Sequence, residues 1–191
     1  MDENRLCELR KKQSIYSNLF YLCIIALLFV FLLVEPAARL VYFIWGCLFV
    51  LFPLISWWMK SPNPFLHLFP EMRELYQYER DKLGEKWGAY YTSTSLLLFV
   101  VGIFFFVQAW IREGNIRFGE GISWWYFAIV PLFLILLGNV HLRSQARRID
   151  SKTPEELKDY ASDKMLFSLV FASVAIGMTL IGTIVYILMG A

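Results

Sequence analysis

Two histidines, three cysteines and a few buried amides are nearly all that the apolar stretches of this 191-residue chain offer to chemistry. Neither His67 nor His141 has a second ligand at helical spacing, so no metal site is expected. A bis-histidine haem would need a facing pair on separate membrane helices, and the two histidines do not provide one. Cys23 and Cys47 lie inside apolar runs, where a thiol behaves as a small hydrophobe, and Cys7 lies in a charged arm. No disulfide framework follows from them. There is no glycine-rich phosphate loop and no Ser or Cys nucleophile with a placed base. The expectation is a protein without catalytic residues, cofactor or metal.

Gln108, Asn139 and His141 are the strongest candidates for functional polar side chains at membrane depth or close to it. Their plainer reading is interhelical hydrogen bonding or interfacial exposure. No Asp, Glu, Lys or Arg lies well inside an apolar run, and ion-coupled carriers generally need one. That lowers the expectation of active transport. A lipid-modifying enzyme would have to build its site from His67, His141 and Asn139, the least favoured of three functional classes.

The elements that would position these residues are apolar. Runs at about 15–34, 37–59, 93–111, 122–142 and 165–189 are each long enough to cross a core of ~30 Å at ~1.5 Å per residue. Of the 18 Lys and Arg, only Arg39, Arg112 and Arg117 fall on the side opposite the N-terminus. The positive-inside bias therefore predicts an all-α bundle of five transmembrane helices, N-terminus cytoplasmic and C-terminus outside, in the cell membrane. Residues 1–191 form one membrane domain, with cytoplasmic segments 1–14, 60–92 and 143–164. The first apolar run is too long for a cleaved signal and is expected to stay in the bilayer. The net charge of +2, with acids among the bases, argues against direct binding of nucleic acid.

Local signals refine this picture. Pro36 stops the first run and returns the chain at once, which predicts that spans one and two are antiparallel neighbours. Ser61-Pro62-Asn63-Pro64 breaks the chain. Pro70 then suits a helix start, and Met72, Tyr76, Leu83, Trp87 and Tyr91 recur at multiples of about four. This predicts an amphipathic helix over about 70–91, weakened at Gly84 and Gly88. Its apolar stripe should lie on the headgroups or on the floor of the bundle. Its polar side, with Glu74, Gln77, Asp81 and Glu85, is the candidate surface for a protein partner; it is not strongly basic, which argues against a dedicated binder of anionic lipid. Thr153-Pro154-Glu155-Glu156 reads as a capping box opening a helix that continues into span five. With a turn at 150–152, spans four and five extend into a short cytoplasmic helical hairpin. Pro70-Glu71 and Pro154-Glu155 each precede a span, but the echo is too gapped to establish a repeat.

Span five carries small residues at four-residue spacing. Ser173, Ala175, Gly177, Thr179 and Thr183 form a candidate oligomer seam, with packing inside the bundle an equal alternative. Short outer loops, structured inner segments and the lack of buried charge point to a non-enzymatic, homo-oligomeric membrane subunit. It would act as an anchor, adaptor or sensor presenting helices to a cytoplasmic protein, with the lipid bilayer as its other partner. The alternative is a transport-related or immunity-type protein: a permease subunit, a small pore, or protection against a membrane-active agent.

Overall fold

The computed structural model describes residues 1–112 and 116–188, except for the side chains of 186–188. Glu113 and Gly114, in a loop expected on the outer side, and residue 189 at the expected end of span five, lie outside the described residues. The elements are α1 (Glu3–Val34), α2 (Ala38–Met59), α3 (Pro64–His67), α4 (Pro70–Leu83), α5 (Trp87–Ile111), α6 (Tyr126–Ser151) and α7 (Pro154–Leu188). A short 3-10 turn, Gly84–Lys86, joins α4 to α5. Five of the helices are long and apolar enough to cross a membrane. Among the described residues there is no strand, only a single bridge between Ala37 and Arg117.

The basic arm is no separate segment. Nothing between Glu3 and Val34 breaks the backbone ladder, so arm and first span are one helix of 32 residues. At ~1.5 Å per residue it outruns a hydrocarbon core by several turns. It ends where Glu35 turns left-handed at φ 48° and Pro36 forbids continuation. The chain here is tied to the segment after α5: Ala38 N–H donates to Ile116 O at 2.8 Å and Phe118 N–H to Pro36 O at 2.9 Å.

Spans one and two face each other as antiparallel neighbours through aromatic pairs, but they are not the closest pair. The tightest neighbour of α2 is α5, which packs in turn on α7, while α6 lies against α1. Glycines explain the choice. A Cβ built on Gly102 would fall 2.7 Å from Val50 Cγ2, and one on Gly46 would fall 2.9 Å from Phe106 Cδ1. Only hydrogen fits at either point, so the two backbones approach closely. Between α1 and α2 stand large rings instead, Phe20 against Phe52 and Phe31 against Trp45. They hold the helices apart around an apolar cavity of about 380 Å³.

The helix expected over 70–91 is also interrupted. Gly84 adopts φ 54°, which lets the chain turn between α4 and α5. At the same end of the molecule, Thr153 and Glu156 form a reciprocal cap: Thr153 N–H donates to Glu156 Oε2 at 2.9 Å, and Glu156 N–H to Thr153 Oγ1 at 3.4 Å. From that cap α7 runs without a break to Leu188.

Burial is lopsided. Leu9, Met72, Leu75, Leu83, Ile149 and Leu157 are fully buried together at the charged end, gathered from α1, α4, α6 and α7. Along the middle of the bundle, Leu22, Phe29, Leu132, Phe133 and Phe171 are exposed, as side chains that face lipid tails would be.

Candidate functional site

The charged end is assembled around α4, whose two flanks do different things. Its apolar stripe does not float: Met72, Leu75, Tyr76 and Leu83 are buried against α1, α6 and α7. Three acids of α4 are paired with bases of α1. Lys12 Nζ meets Glu71 Oε1 at 3.3 Å, Arg5 Nη2 meets Glu74 Oε2 at 2.6 Å, and Arg10 Nη1 meets Glu79 Oε1 at 2.6 Å.

The last of these pairs is buried. The Glu79 side chain is 1% exposed and that of Arg10 is 14% exposed. Arg10 also grips Asp150 of α6 with both remaining nitrogens, Nη2 to Oδ1 at 2.7 Å and Nε to Oδ2 at 3.0 Å, a bidentate fork. It donates to Gln13 Oε1 at 3.0 Å as well, and Lys82 Nζ donates to the Asp150 carbonyl at 2.8 Å. Three helices distant in sequence are thereby clasped by one guanidinium. Burial lifts the Glu79 carboxyl above its ordinary value even though Arg10 pulls it down. Its second oxygen, Oε2, is buried without a partner. Nearby, Gln145 donates to the Tyr90 hydroxyl, and Lys164 Nζ sits 4.3 Å from the Tyr90 ring centre.

The candidate partner surface stands outside this layer. Gln77, Asp81 and Glu85 are exposed, and so is Glu74, although Arg5 engages it. Its outward aim follows from the burial of the opposite stripe.

The polar membrane positions do not converge. Asn139 donates to Asn18 Oδ1 at 2.7 Å, linking α6 to α1, and to the Ile135 carbonyl at 3.0 Å. His141 is exposed on α6 and Gln108 is half-buried near the end of α5. His67 lines a cleft that contains neither Asn139 nor His141. Among the described residues no three His, Cys, Asp or Glu side chains gather in a way that could hold a metal.

On α7, Ser168 and Ala172 are buried, and Ala175, Thr179 and Thr183 are half-buried on the same side. Ser173 is exposed, and a Cβ on Gly177 would meet nothing within 4 Å. The hydroxyls of Ser173, Thr179 and Thr183 bond back to carbonyls four residues earlier in α7. The proposed seam thus splits between a side near α5 and an open side.

Comparison with known proteins brings no relative to this arrangement: no family model, curated protein or solved structure matches the chain. The residues that sequence reasoning missed are Arg10, Glu79 and Asp150. One signal was present. Glu79 occupies the same helical face as Met72, Leu75, Tyr76 and Leu83, and an acid on an apolar stripe calls for a cation.

Proposed function

We propose that this protein is a non-enzymatic membrane subunit whose charged end is cytoplasmic and whose α4 helix is a fixed docking edge for a soluble protein. One observation carries the reading: α4 is held by a buried stripe and by ion pairs to α1, yet Gln77, Asp81 and Glu85 remain exposed in a constant orientation. A helix fixed in this way presents side chains without losing orientational freedom on binding. The basic residues clustered at this end support the orientation, and the open side of α7 at Ser173 and Gly177 supports self-association.

Reversing Asp81 and Glu85 to Lys tests the docking edge, since neither makes a described salt bridge that folding would lose. The variant is expected to express and assemble like the parent in detergent. Its capture of cytoplasmic proteins, measured by quantitative mass spectrometry after cross-linking in cells, should fall, because like charge against a complementary surface costs several kcal/mol. An unchanged capture profile overturns the reading. Reporters after Met1 and within 60–92 should read cytoplasmic, and one after Ala191 should read outside.

A further inference from the structure

The other flank of α4 carries the opposite charge, and it faces a cleft. The acids of α4 at Glu71, Glu74 and Glu79 are taken up by α1. Arg73, Gln77 and Arg80, spaced at four and three residues and so on one stripe, line a cleft of about 330 Å³ with Lys60, His67 and Trp87. That volume lies at the lower end of small-molecule sites, roughly 300–1,000 Å³. No carboxylate lines it, and among the described residues none of Lys60, Arg73 and Arg80 makes a salt bridge.

The third cation, Lys60, stands on a fixed stretch of backbone. Helix α2 ends in a paired closure, Lys60 N–H to Trp57 O at 3.3 Å and Ser61 N–H to Ser56 O at 3.1 Å. This requires a left-handed residue at position 60, and Lys60 supplies it at φ 51° although it is not glycine. The Trp87 indole N–H then donates to the Lys60 carbonyl at 2.9 Å, fixing that corner to α5. His67 closes the cleft with its ring parallel to Tyr76, and its Nδ1 is buried without a hydrogen-bond partner. Burial, and then the charge of Arg73, hold its imidazole below the usual value. Three like charges round a concavity repel one another unless an anion joins them, and planar guanidinium groups fit a phosphoryl oxygen pair better than any other anionic partner except carboxylate.

We propose that this cleft binds a phosphoryl group, with Arg73 and Arg80 as the gripping residues, Lys60 as the third charge and His67 as the wall. The group could be carried by an anionic lipid headgroup or by a soluble phosphate compound, since exposed Trp58 sets the adjoining end of α2 at headgroup depth. The cleft borders the docking edge at Gln77, but Asp81 and Glu85, the residues reversed to test that edge, are outside its lining.

The full chain in nanodiscs of equal phosphatidylglycerol and phosphatidylcholine tests it by native mass spectrometry, with the line width of inorganic phosphate in phosphorus NMR as the second arm. Preferential retention of phosphatidylglycerol assigns a lipid source; broadening of inorganic phosphate without it assigns a soluble one. Either response should weaken about tenfold for each arginine removed in Arg73→Gln and Arg80→Gln. The exposed Arg143→Gln, outside the cleft, should change neither. Gln77→Glu keeps every cation and adds a carboxylate between the arginines, so it should also weaken binding where a double arginine variant fails to fold. Binding of neither probe by the parent chain, or equal losses in Arg143→Gln, overturns the site.

Discussion

At the charged end Arg10 reaches Glu79 at 2.6 Å and Asp150 at 2.7 Å behind a buried apolar layer, whereas at the turn end Arg117 meets Glu35 at 3.0 Å in the open. Both are Arg–carboxylate contacts that join distant parts of the chain. They differ in the medium between the charges. Water screens the outer pair almost fully, while the inner one sits where an unpaired charge is costly. One end of this bundle is built as a soluble core is built, and the other is closed by a turn and two backbone hydrogen bonds.

The sharpest way to break that contrast is Arg10→Ala. Leaving Glu79 buried and alone should cost about 3–5 kcal/mol, read as resistance to heat or SDS by tryptophan fluorescence in detergent. The cost should also depend on pH. A buried carboxyl whose value is raised in the folded state is penalised above that raised value and relieved as protonation neutralises it. The deficit relative to the parent is therefore largest near neutrality and shrinks as pH falls toward the ordinary value of 4.5. A deficit that is independent of pH would mean that Glu79 is not the residue left exposed to the loss.

Between the two ends, paired glycine substitutions separate closed from open packing. Gly102→Ala places a methyl against Val50 and the Phe49 backbone and should lower stability by roughly 1–3 kcal/mol. Gly177→Ala meets nothing within 4 Å and should raise it by roughly 0.5–1 kcal/mol through helix propensity alone. The two changes are chemically identical and opposite in sign, so the same unfolding measurement made on both decides whether α2–α5 is the close seam. The smallest effect belongs to Arg117→Ala, within about 1 kcal/mol and fading with salt. A larger loss there would erase the distinction between the ends.

Much of the frame was readable before any coordinates. Apolar length reports the five spanning helices because a bilayer imposes a minimum, and Thr153–Glu156 reports a helix start because that cap is closed within four residues. Gly84 marks a weak point for the same local reason. What escaped reading was pairing over distance. Arg10 finds partners 69 and 140 residues away, and no periodicity links them. The cationic cleft draws on α2, α3, α4 and the start of α5, so its bases look scattered and are outweighed by nearby acids. The preference of α2 for α5 over α1 was equally hidden, since Gly46 and Gly102 look like any other small residues until their neighbours are known.

The Arg10 clasp has a consequence for the order of synthesis. The first of its residues is made at the start of the chain and the last, Asp150, 140 residues later. At ~5–20 residues per second the interval is roughly 7–28 s. Before Asp150 is made, Arg10 can already meet Glu79, 69 residues on, but it cannot yet fasten α6. Closure becomes possible only when α6 has been threaded and has returned. A chain truncated before that point would keep the Arg10–Glu79 pair and lack only the bidentate fork to Asp150.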